Sequence, residues 1–174
     1  QRHAPRWLSS MSLLLAGGHG WDTAGVRLVI RATARTSLIL FLLAFTANAI
    51  VQLAPSGVTR WQRRNRRYLG VSFAVSHFIH LGFILTLASI SPEVFWTLTA
   101  IPNIIGGGIA YLFIAAMAAT SFDRTVAWLG AARWRLLHLA GVWYIWLIFL
   151  ISTGKRTSSG SLYWPMTALV LAAG

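Results

Sequence analysis

Three histidines stand inside apolar stretches of this chain, and their type and spacing are where chemistry can begin. His77 and His80 lie three residues apart in the apolar run that opens near Tyr68, and His138 lies in a second run that opens at Leu136. Histidine at membrane depth is costly and rare, so it is a functional residue by default. A lone one can serve as a hydrogen-bonding link between helices; three on two helices point beyond that. At a spacing of three, His77 and His80 stack on nearly one helical face, about 4.5 Å apart along the axis. Without an acid beside it, a neutral imidazole in that medium wants a metal or a hydrogen-bond partner. His3 and His19 fall outside the clear apolar runs and read as surface residues.

The other residue types narrow the chemistry. The chain has no cysteine, which removes disulfides, thiol catalysis, iron–sulfur clusters and cysteine-ligated zinc or haem. Its only acids are Asp22, Glu93 and Asp123, all expected in loops. No carboxylate pair is left for acid–base catalysis or a proton relay in the membrane, which argues against an ion-coupled transporter. Zinc would want carboxylate or thiolate help. Haem needs one histidine from each of two facing helices, and as a flat, apolar group it suits a helical bundle. Arg133 and Arg135 stand at the rim of the His138 run and are the candidates to pair with its propionates.

The elements that must position these side chains are membrane helices. Of 174 residues 56% are hydrophobic and 10% charged, against about 25% charged in soluble domains. The fold expected is an all-α integral membrane protein, one domain over 1–174, with a bundle of about six transmembrane helices. Ser37 to Ala54, Tyr68 to Ile90, Val94 to Ala119 and Leu136 to Ser152 read as full spans. Trp7 to Gly18 is about twelve residues long, short of the about 20 a crossing needs. It reads as the end of a truncated first helix or as an interfacial segment, and Leu162 to Gly174 as the start of a last span. No cleavable signal peptide is read in the sequence as given.

The net charge of +12 belongs to arginines that flank apolar runs, as orientation signals do, and no aromatic–basic surface outside them suggests nucleic acid. Arg27, Arg31 and Arg35 recur every fourth residue and form a basic collar on one face. Five more arginines crowd into Arg60 to Arg67. The 55–67 and 120–135 loops share a side and carry the arginine excess, so they are expected in the cytoplasm, in a bacterial inner membrane. Trp61, Trp96, Trp134 and Trp164 fall near span ends, as interfacial anchors do. Gly106, Gly107 and Gly108 would let a neighbouring backbone or a flat cofactor approach; packing alone explains them equally well.

Two local patterns carry a family likeness. Arg66-Arg67-Tyr-Leu-Gly is followed, ten residues after the glycine, by His80; Trp134-Arg-Leu-Leu-His138 has Tyr144 downstream. Nearly the whole chain thereby resembles the ferric reductase-like transmembrane domain family. That family includes ferric reductases, the membrane part of NADPH oxidases and the haem-binding membrane subunit of bacterial methionine sulfoxide reductases. The resemblance implies a six-helix bundle holding haem b between its third and fifth helices. It implies electrons passed across the membrane from a flavin or quinone on the cytoplasmic side. One departure is Ile151, which stands where members commonly carry a second fifth-helix histidine. His80 thus lacks its expected outer partner, and one haem rather than two is expected.

Which histidine pairs with His138 stays open at this level. The resemblance favours His80. Helix counting favours His77: from the expected outer ends, His138 lies about 21 Å in, His77 about 20 Å and His80 about 15 Å. The function expected is a haem b-binding membrane electron-transfer subunit in contact with lipid and with a redox partner or larger membrane complex. No glycine-rich dinucleotide fingerprint and no length for a soluble reductase domain are present, so donor oxidation is expected at a partner or at a surface site of this chain. The alternative is an accessory subunit that has kept the fold and lost its haem.

Overall fold

The computed structural model describes residues 22–157 and 163–174. Among them every regular element is helical: α1 (Thr23–Leu53), α2 (Gly57–Arg64), α3 (Arg66–Ile90), α4 (Pro92–Leu98), α5 (Ile101–Ala119), α6 (Asp123–Leu129), α7 (Ala131–Gly154) and α8 (Tyr163–Ala173). Four of these, α1, α3, α5 and α7, are long and apolar enough to cross a membrane. They answer to the four expected spans, so the all-α membrane class holds. The readings of Trp7 to Gly18, His3 and His19 lie outside the described residues.

The boundaries moved for local reasons. α1 starts well before Ser37 and takes in Arg27, Arg31 and Arg35, so the collar belongs to the same helix as the span. Asp22 caps it, its Oδ1 accepting from Gly25 N–H at 2.8 Å, where an acid also meets the positive end of the helix dipole. The supposed 55–67 loop is mostly helical. Ser56 and Thr59 form a reciprocal capping box at the start of α2, and Asn65 separates it from α3. The expected span Val94 to Ala119 is two helices, broken at Thr99, whose backbone is extended. Pro102 is the reason: inside one continuous helix it would delete a hydrogen bond and clash, whereas the first turn of α5 tolerates it. The expected 120–132 loop holds α6, closed by Gly130 at φ 83°, a backbone region that glycine enters without strain.

The described residues fall into two compact units. One comprises residues 22–36 and 76–100, and the other residues 37–75, 101–157 and 163–174. In the first, the start of α1 runs antiparallel to the end of α3. Thr23 Oγ1 meets Ser91 Oγ at 2.6 Å, and eleven residues back along α3 Thr33 Oγ1 meets His80 Nδ1 at 3.0 Å. Val26 and Leu87 are buried there.

In the second unit, Leu38, Phe41, Phe73, Ala74, Ile114, Ile145, Phe149 and Val170 form the core. Phe41 lies 5.4 Å from Phe73 and 5.3 Å from Phe149 between ring centroids, joining α1, α3 and α7 at one point. Lipid is as apolar as these side chains, so close packing and interhelical hydrogen bonds hold such a core more than water exclusion does. Gly141 serves the packing. A Cβ there would stand 2.7 Å from Met117 Sδ and 3.1 Å from Phe113 Cδ1. Of the three clustered glycines only Gly106 is so used, with Ile148 Cδ1 3.4 Å from its would-be Cβ; Gly107 and Gly108 have nothing within 4 Å. Polar links complete the unit. Tyr144 Oη donates to the Gly106 carbonyl at 3.1 Å, and Trp146 Nε1 to the Val170 carbonyl at 2.8 Å.

Candidate functional site

His77 and His80 share one face of α3, their rings stacked with centroids 5.3 Å apart. The expected i, i+3 alignment is therefore present. The hydroxyl of Thr33 on α1 holds His80. Thr33 Oγ1 also lies 2.8 Å from the Val29 carbonyl, one turn back on its own helix, and donates to it. A hydroxyl has one proton. With that proton on Val29, the oxygen facing His80 Nδ1 would act as acceptor, an arrangement that favours the Nδ1–H tautomer of His80.

His138 sits in the other unit, on α7, and is held differently. Thr120 Oγ1 lies 3.3 Å from its Nε2, and the same hydroxyl donates to the Ala116 carbonyl at 2.7 Å. The same sharing of one hydroxyl proton, over a longer contact, favours the Nε2–H tautomer of His138. Trp134, one turn earlier on α7, covers the ring at a centroid distance of 4.3 Å. Its indole N–H donates to the Thr120 carbonyl at 2.9 Å. Trp134, expected near a span end, stands in the first turn of α7 and also packs on His138. Trp61, Trp96 and Trp164 are exposed, as anchors would be.

Arg66 Nε donates to the Ala44 carbonyl at 3.1 Å. Gln62, four residues earlier, donates to the adjacent Leu43 carbonyl at 2.8 Å. The two side chains reach α1 from one face across the α2–α3 junction. Arg133 and Arg135, the arginines proposed from the sequence, lie exposed in the first turns of α7. Arg67 is spent elsewhere, paired with Asp123 Oδ1 at 3.0 Å and lying over the Phe122 ring.

Thr33, Thr120 and Arg66 were not singled out by sequence reasoning as site residues. For Arg66 a signal existed in its i, i+4 spacing from Gln62. The two threonines carried none, since a threonine in a membrane helix ordinarily bonds back to its own backbone.

Among the described residues no group of three or more histidines and acids is gathered to hold a metal ion. What the residues offer is two imidazoles on α3 and one on α7, with all three acids of the chain outside the four long helices. That donor set suits a group whose own macrocycle supplies most of the metal's ligands. His80 fits it most directly, because a ligating histidine characteristically gives its other ring N–H to a fixed acceptor. His138 fits once the Thr120 contact, long for a hydrogen bond, gives way.

Fold and side chains thus define a polytopic helical membrane protein with imidazoles set inside its helices. A family model described as ferric reductase like transmembrane component matches residues 31–150, and the chain belongs to that family. Such a domain points to electron transfer within a membrane. No curated protein and no solved structure matches the chain.

Proposed function

We propose that the protein is a haem b-binding membrane electron-transfer subunit, with His138 and one of His77 and His80 as the iron ligands. The observation that carries this reading is that imidazoles, and no carboxylates, occupy the membrane-length helices of a ferric reductase-like domain. When bound, haem b supplies a one-electron couple. The residues of this chain hold it and set its surroundings. The imidazoles ligate, Trp134 restrains the His138 ring, and Arg66, Arg133 and Arg135 are the cations available to its carboxylates. Tight apolar packing around Phe41, Phe73 and Phe149 keeps water out of the bundle.

The electrons come from a flavin or quinol oxidised at the cytoplasmic side, by a partner or a larger membrane complex, and leave to an acceptor protein. The Arg60 to Arg67 segment faces the cytoplasm of a bacterial inner membrane, in keeping with its charge. A second reading, a haem-less accessory subunit of such a complex, is favoured by Ile151, an apolar residue where relatives offer another imidazole. One experiment separates the two. The full chain, expressed with haem supplied and purified in detergent, is expected to show a reducible b-type absorbance spectrum and about one extractable haem per chain. A colourless protein that remains folded overturns the first reading in favour of the second.

A further inference from the structure

We propose that α2 is an interfacial helix whose outer face binds the headgroups of anionic phospholipids. This is independent of any haem. It rests on how one short helix divides its chemistry between two faces, all within one compact unit.

The inner face is polar and engaged. Thr59 Oγ1 donates to the Ala54 carbonyl at 2.9 Å and accepts from Ser56 N–H at 2.8 Å. Gln62, 7% exposed, donates to the Leu43 carbonyl at 2.8 Å. Just beyond α2, Arg66 and Arg67 are taken up by the Ala44 carbonyl and by Asp123. These bonds hold α2 against α1 and fix which side faces out.

The outer face carries Arg60, Arg63, Arg64, Val58 and Trp61, all exposed. With 3.6 residues per turn, the three arginines fall within about 100° of arc, and Trp61 and Val58 occupy about 60° on the adjoining flank. Cations on one flank and apolar side chains on the next suit a helix lying in the headgroup layer, its apolar flank toward the acyl chains. Tryptophan favours the same layer. The position of α2 agrees, since it joins two membrane-length helices, α1 and α3.

Charge selects the lipid. Residues 55–67 hold five arginines and no acid. Among the described residues Arg60, Arg63 and Arg64 form no ion pair; Asp123, the acid of this unit, is paired with Arg67. Guanidinium groups match the oxygens of a phosphate, and an anionic headgroup leaves a net negative charge for them to meet. An acidic protein segment would satisfy the arginines but would leave the Val58–Trp61 flank without a role, which favours lipid.

The test titrates the full chain, in neutral detergent, with phosphatidylglycerol or phosphatidylcholine and counts bound lipid by native mass spectrometry. Wild type should bind the anionic lipid roughly 5- to 30-fold more tightly, the worth of one to two arginines at a charged surface. The preference should shrink as salt is raised. The variant combining Arg60→Gln, Arg63→Gln and Arg64→Gln should retain a preference of no more than about twofold. Lysine at the same three positions should keep most of it, because the charge is kept. The matched control combines Arg27→Gln, Arg31→Gln and Arg35→Gln. It removes equal charge from α1 in the other unit and should leave the preference in place.

A wild type without preference overturns the lipid assignment and leaves an acidic protein segment as the occupant. A glutamine variant of α2 that keeps the preference overturns it too, as does a control that loses as much. If the α2 variant fails to fold, wild type and Trp61→Phe decide. Phosphatidylglycerol brominated near the headgroup should quench more wild-type fluorescence than brominated phosphatidylcholine, and Trp61→Phe should remove the difference. Equal quenching by the two lipids in wild type overturns the proposal.

Discussion

Two threonine–histidine pairs occupy the protein, one in each unit, and they are joined through opposite ring nitrogens. Thr33 meets His80 at Nδ1 and Thr120 meets His138 at Nε2. In both, the threonine hydroxyl also lies within donating distance of a carbonyl of its own helix, which favours the imidazole as donor toward it. The same two residue types therefore engage the two imidazoles at different nitrogens, and over His138 the Trp134 ring adds a cover at 4.3 Å.

The glycines of the two helices show a parallel contrast. Gly141 on α7 is crowded by Met117 and Phe113, whereas Gly82 on α3 has nothing within 4 Å. The His138 helix is thus closely packed at Gly141, whereas the His80 helix has room for a side chain at Gly82.

The strongest way to break this comparison is to remove one of its members. His138→Ala is expected to abolish the b-type spectrum altogether, measured on purified protein by dithionite-reduced minus oxidised absorbance. A full spectrum would show that α3 alone binds the haem. Next comes packing. Gly141→Leu should cost about 1–3 kcal/mol by overpacking against Met117 and Phe113, whereas Gly82→Ala should be neutral or stabilising by up to about 1 kcal/mol, because helix interiors favour alanine. Thermal or denaturant unfolding in detergent reads both, and equal effects would remove the contrast.

A smaller effect is expected at Thr120. Thr120→Val deletes a hydroxyl that competes for Nε2 of His138, so haem should bind up to about fivefold more tightly, the worth of one net hydrogen bond of about 1 kcal/mol. Haem titration followed by absorbance checks this, and a loss would mean that His138 depends on its threonine. The smallest effect is expected at the surface. Asp123→Asn breaks the pair with Arg67, but Asp123 is 95% exposed. Unfolding should shift by no more than about 0.5 kcal/mol, leaving the spectrum unchanged.

Much of the fold was legible in the residue order. The four long helices were located because apolar length is a property of the segment itself, set by what a bilayer excludes. Their ends were not. Ser56 and Thr59 cap a helix inside an arginine-rich stretch that reads as a loop, and Pro102 splits a stretch that reads as one span. Both are decided by one or two hydrogen bonds, which hydropathy averages away.

The site divides along the same line. That His77, His80 and His138 lie inside membrane helices, that His77 and His80 share a face, and that no thiol or carboxylate accompanies them follows from composition and helical period alone. Which ring nitrogen of His80 and of His138 meets a neighbouring hydroxyl does not. It depends on a hydroxyl 47 residues away from His80 and another 18 residues away from His138, brought up by helices whose own sequences mark neither threonine. The cover of Trp134 on His138 was decided in the same way. Local periodicity dictates which residues line a helix face; only the neighbouring helix, supplying or withholding a single acceptor, dictates the chemical state in which they are presented.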